Sequence, residues 1–135
     1  MTPKEFVKIW FEVVDTRKYD QMKTMMADNH QFINPVSPVP LNRDAHIGMV
    51  QQLISGFTGR HTIEQMIVEG EWAVSRQRWS GKHTGEFNGI PASGKPVEFT
   101  ITDIMHVVNG KLEEEYMEWN VMTLMMQIGA IPQPA

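Results

Sequence analysis

The residues able to do chemistry in this chain carry oxygen or imidazole, because there is no cysteine among its 135 residues. Five carboxylates fall late in the chain: Asp103, Glu113, Glu114, Glu115 and Glu118. A strand alternates its faces, so at least one of Glu113-Glu114-Glu115 points inward, and parity alone leaves open whether 113 and 115, or 114, does so. A carboxylate in an apolar cavity has its pKa raised toward neutrality and can act as general acid or base. Asp103 sits among Ile101, Ile104, Met105 and Val107 and offers the same chemistry if it faces in. Its alternative is an ion pair with Arg76 or Arg78 on a neighbouring strand, which would depress its pKa and make it structural. His83, in a turn-rich stretch, either shuttles protons near neutral pH or fixes its loop by hydrogen bonding. His30, His46, His61 and His106 are scattered and read as surface or satisfied residues. Trp72, Trp79, Trp119 and Phe87 can offer flat faces to an aromatic or polycyclic ligand. Trp119 is the expected pocket wall, because it borders Asn120 at the end of the last strand.

Other chemistries lack their residues. No His-x-His or His-x-x-x-His pair suggests a metal, Gly81-Lys82-His83-Thr84 lacks the spacing of a phosphate loop, and no G-x-S-x-G elbow occurs. Neither metal nor cofactor is expected. A net charge of −4, spread along the chain, gives no electrostatic case for nucleic acid or an anionic membrane. No stretch is apolar enough to span a bilayer and MTPKEFVK lacks a signal peptide's apolar run, so a cytoplasmic protein is expected. Eleven methionines suit an adaptable apolar cavity as well as ordinary core filling.

The positioning elements follow from spacing. Thr2 and Pro3 open a helix with Phe6, Ile9, Trp10, Val13 and Val14 on one face. A short helix over Tyr19 to Met26 is next, then an extended Phe32-Ile33-Asn34-Pro35. Asn42 or Asp44 caps a third helix that buries Ala45, Met49, Leu53, Ile54 and Phe57. Strands are expected over Thr62 to Glu69, Trp72 to Ser80, Val97 to Val108 and Lys111 to Trp119, with Asn109-Gly110 as a hairpin turn and a last short helix over Val121 to Gln127. Residues 1–135 thus read as one α+β domain: three N-terminal helices backing a curved antiparallel sheet of four to five strands, with a ligand hollow between. The long loop between the second and third of those strands is expected to help form a mouth or lid.

GKHTGEFNGIPASGKPVEF resembles the signature of the SnoaL-like polyketide cyclases, and Gly110-Lys111 and Leu124-Met125-Met126-Gln127-Ile128-Gly129 resemble two further segments of that family. The resemblance covers nearly the whole chain. It implies an NTF2-like cone, a hydrophobic small-molecule ligand, a homodimer through the outer sheet face, and residues 115 and 117 turned toward the pocket. His83 matches the signature's histidine, and Asn34 matches an asparagine of the cyclase site. The cyclases' acid–base aspartate corresponds to Met117, the aspartate of other members before the closing helix to Asn120, and an inward histidine to Asp103. The expected site is therefore Asp103 or Glu115 as proton carrier, with Asn34, His83, Met117, Trp119 and Asn120 around the substrate. The expected activity is cofactor-free cyclisation, isomerisation or dehydration of a hydrophobic carbonyl compound. Met117 and Asn120 leave a non-catalytic binding protein as the alternative.

Overall fold

Helix α1 (Pro3–Asp15) begins as its residues dictate: the Thr2 hydroxyl accepts the Glu5 N–H, and the Glu5 carboxylate accepts the Thr2 N–H in return. Its inner face buries Phe6, Val7, Trp10, Phe11, Val13 and Val14. Then come α2 (Tyr19–Thr24), β1 (Met26–Ile33) and α3 (Arg43–Ile54), the last capped by Asn42, which accepts from Ala45 N–H. Strands β2 (Phe57–Glu69), β3 (Trp72–His83), β4 (Pro96–Val108) and β5 (Lys111–Trp119) follow, and α4 (Val121–Gln127) closes the chain. The computed structural model describes residues 1–134. Among them no helix is long and apolar enough to cross a membrane.

The sheet runs β1-β5-β4-β3-β2. The last four strands form an antiparallel meander, whereas β1 pairs with β5 in parallel. β1 starts at Met26 rather than Phe32. Ala27, Asp28 and Asn29 have poor strand propensity, and only the pairing with β5 makes them extended.

The hollow arises from two irregularities. Inward residues alternate strictly on β3 (Ala73, Ser75, Gln77, Trp79) and on β4 (Ile101, Asp103, Met105, Val107). On β5, Val107 faces Leu112 while His106 faces Glu114, so Glu113 is left without a ladder partner. On β2, Ile63 faces Gln77 while Gln65 faces Arg76, which leaves out Glu64. Such bulges bend a strand and increase its twist, and here they curl the sheet's two flanks around the helices. They also settle the parity of the glutamate run. Leu112 and Glu115, three apart, both face inward, which an unbroken strand forbids.

Two apolar clusters hold the cone. One joins α1 and α2 to Ala73, Met105, Val107 and Leu112; the other gathers Phe57, Trp79, Phe87, Val97 and Ile101 with Leu124 and Ile128. The Thr84–Lys95 loop belongs to the second, where Phe87 packs on Phe57 and the N–H groups of Thr84 and Gly85 bond Gly56 O.

Gly59 and Gly81 face each other across β2 and β3, and a Cβ on either would lie 2.7 Å from the other's Cα and from the Trp79 ring. Gly81→Ala should therefore cost about 1–3 kcal/mol, as overpacking generally does. The check is a lower urea midpoint at unchanged m-value; an unaltered midpoint would show that these strands do not approach so closely.

Candidate active site

Between the clusters lies a cavity of about 100 Å³. Trp10 and Val14 of α1, Met49 and Leu53 of α3, and Leu124 of α4 form one side; Trp79, Ile101, Met117 and Trp119 form the sheet side. Three ionisable side chains interrupt this wall: Glu115, His46 and His61. His61 is engaged by Asp15, whose Oδ1 lies 2.6 Å from its Nδ1 and whose Oδ2 accepts its backbone N–H at 2.9 Å.

Glu115 does not stand alone. Its diagonal neighbour on the inner face is Asp103, since Met105 faces Glu115 and Asp103 faces Met117. Both are buried, Asp103 completely and Glu115 at 2% exposure. Asp103 Oδ2 accepts from Gln77 Nε2 at 3.2 Å, and the same nitrogen donates to Ser75 Oγ at 2.6 Å. Among the described residues Asp103 Oδ1 and Glu115 Oε1 have no hydrogen-bond partner. Two buried carboxyls this close repel when both are ionised, so keeping a proton on one of them is favoured. Burial, the Asp103 charge and the bond to Asp103 together push Glu115 well above the usual carboxylate range. Burial raises Asp103 too, opposed by the bonds from Glu115 and Gln77 and by the charge of His61. Of the two, Glu115 is pushed the further toward holding a proton. No arginine intervenes: Arg76 and Arg78 leave from the outer face, where Arg76 bonds Glu64 and Arg78 bonds Glu64 and Glu98. The ion pair considered for Asp103 is not formed, because its strand partner is Ser75.

Of the residues expected around a substrate, Met117 and Trp119 line the cavity and Asp103 lies behind Glu115. Asn34, His83 and Asn120 lie outside the lining, each occupied in holding the backbone. Asn34 Oδ1 accepts the Val36 N–H, Asn120 Oδ1 caps α4 through Thr123 N–H, and His83 Nδ1 meets Ser93 Oγ at 2.9 Å with its ring against Phe57. None of Thr84–Lys95 lines the cavity either, so the loop expected as a mouth instead packs outside Phe57. Trp72 stacks on His106 at the outer face.

His46 is the residue that sequence reasoning missed. It was read as a surface or satisfied residue, with no part in the site, yet it is 2% exposed, stacks on Phe32 with ring centroids 3.7 Å apart, and brings Nε2 to 3.7 Å from Glu115 Oε1. A signal was present: His46, Met49, Val50 and Leu53 follow helical spacing and form the cavity-facing stripe of α3. Ala45, expected on that face, is exposed.

A curled sheet roofed by helices around a hollow defines a class of small cone-shaped α+β proteins. The chain belongs to the SnoaL-like polyketide cyclase family, whose pattern it matches over residues 4–128. Similar solved structures include IdmH of Streptomyces antibioticus, described as a proposed polyketide cyclase (TM-score 0.88, 20% identity, 96% of this chain and 99% of that one). AclR of Streptomyces galilaeus, described as a proposed hydroxylase, is similar at TM-score 0.87 and 14% identity over 96% and 97% of the two chains. A proposed SnoaL-like polyketide cyclase of Jannaschia sp. CCS1 is similar at 0.85 and 22% over 96% and 93%. At these identities the likeness is one of fold, and it bears out the NTF2-like cone. Among curated proteins none matches the chain.

The raised Glu115 pKa links stability to pH. The folded protein holds the Glu115 proton more tightly than the unfolded chain does, so stability falls as pH rises from the usual 4.5 through the raised value. Glu115→Gln keeps the shape and removes the titration. At alkaline pH it should be more stable than the parent, and its pH profile should be flatter. Identical profiles for parent and variant would show Glu115 ionising at its ordinary pH.

Proposed function

We propose that the protein is a cofactor-free acid–base enzyme of the cyclase, isomerase or dehydratase type, acting on a small hydrophobic carbonyl compound held in the cavity. Glu115 exchanges a proton with the substrate, and Asp103 tunes Glu115 from behind. The observation that carries this reading is a buried carboxyl, Glu115, set in a wall built mainly of hydrocarbon, sulfur and aromatic rings, where burial and the neighbouring Asp103 raise its hold on a proton. A carboxyl kept neutral by burial can donate at the pH where its solvent-exposed counterpart is already ionised. Proton removal beside a carbonyl also needs a donor for the developing oxyanion. The indole N–H of Trp119, a lining residue, is buried without a partner among the described residues and supplies that donor, in place of Asn34 and Asn120, which lie outside the lining. The volume sets a scale. An engineered apolar cavity of about 150 Å³ takes benzene, so the roughly 100 Å³ here, with its wall unmoved, holds a group smaller than such a ring. A larger ligand would displace the flexible Met49 and Met117.

The family's names fit carbonyl chemistry. Met117 favours a second reading, that of a binding protein, because a thioether in the cavity cannot carry a proton. The two readings separate on solvent-deuterium uptake by cyclic ketones and β-dicarbonyls, followed by proton NMR. Uptake catalysed by the parent should fall at least about 100-fold in Glu115→Gln. Equal uptake in the parent, Glu115→Gln and Asp103→Asn would leave the binding reading in place.

The proposed assembly is a homodimer. Ile67 faces Val74, Val74 faces Ile104 and Ile104 faces Tyr116, making an apolar row across the outer sheet face beside Trp72. Ile67 is 61% exposed and Ile104 39%, surface that a second copy would cover. Light scattering should give twice the 15.5 kDa chain mass for the parent and the single mass for Ile104→Lys; a monomeric parent would refute the dimer.

A further inference from the structure

Beside the carboxyl pair stand two buried imidazoles, His30 on β1 and His46 on α3, whose protons can be placed by following the hydrogen bonds from one fixed point. The Leu112 carbonyl can only accept, so the 3.1 Å contact with His30 puts a proton on His30 Nδ1. A neutral imidazole carries one N–H, which leaves His30 Nε2 a bare acceptor. The 2.8 Å contact between His30 Nε2 and His46 Nδ1 is then a bond donated by His46. That leaves Nε2 of His46 bare in turn, 3.7 Å from Glu115 Oε1, an oxygen without a donor. Both rings stay neutral because burial holds them below the ordinary imidazole range; for His46 the neighbouring His30 adds to this. Stacking of His46 on Phe32, and its 10° coplanarity with His30, fix the orientation.

We infer that His46 is a second proton-handling group of the cavity, with His30 as its positioning residue: two successive tautomers, anchored on the Leu112 carbonyl, keep Nε2 of His46 an acceptor facing Glu115. The inference rests on the acid–base reading of Glu115 and narrows it to proton relocation. A carbonyl compound that gives the proton next to its carbonyl to Nε2 of His46 receives one at another carbon from the Glu115 carboxyl. The proton on His46 then returns to the Glu115 carboxylate across the gap between them. Nothing is gained or lost overall, and the product is an isomer.

The test is the nitrogen-15 spectrum of the histidine-labelled full chain at neutral pH. In the parent, His46 should show a protonated Nδ1, a bare Nε2 at the downfield position of an unprotonated ring nitrogen, and a coupling through the bond to His30 Nε2. His30→Gln should retain that pattern, since its amide can donate to Leu112 while its carbonyl accepts from His46. His30→Phe, which cannot accept, should move the His46 proton to Nε2. A parent His46 protonated at Nε2 or at both nitrogens overturns the inference, and the parent spectrum decides this even if a variant fails to fold. An unchanged tautomer in His30→Phe overturns the role of His30. Full activity in Glu115→Gln with the expected tautomers in place would instead sink the acid–base reading alone.

Discussion

Two carboxyl groups buried as neighbours on one sheet face, with the arginines of β3 turned away from them, favour keeping a proton over carrying two charges. Removing even one ion from water costs several kcal/mol, and two like charges in contact cost more. The architecture around Glu115 and Asp103 meets that constraint. Gln77 donates to Asp103, the arginines of β3 are turned to the outer face, and rings and thioethers keep the site largely apolar. A carboxyl that favours its proton, at the edge of an apolar hollow, is the outcome.

What local chemistry determines was legible from the residues. The Thr2–Glu5 capping box, the Asn42 cap and the Asn109-Gly110 turn, with both residues at positive φ, depend on neighbours a few positions away. So did the bounds of β5 and α4, which fall where spacing put them. What depends on pairing across the sheet was not legible. Alternation left the inward turn of Glu115 open, and only the family resemblance implied it; it follows from a bulge at Glu113, just as β1 is extended only because β5 lies beside it.

The site followed the same division. Met117 and Trp119 fall on a regular stretch of β5 and line the cavity as read. The short polar residues near loops did not, because Asn and His next to turns find backbone partners first. Asn34, Asn120 and His83 are all engaged in this way. Conversely His46 looked ordinary. Its role comes from three contacts distant in sequence, to Phe32, His30 and Glu115, none of which its own neighbours announce.

The unpaired glutamates on the two flanking strands carry a last consequence. Glu64 and Glu113 add length without adding a rung, so the wall on either side of each keeps its order whatever the count between. A chain lacking one of them would number every later residue one lower and still turn the same side chains inward, on a less bent strand. Kinship among such cones is therefore truer when traced rung by rung than when traced letter by letter, and a position that looks displaced by one can be the same place in space.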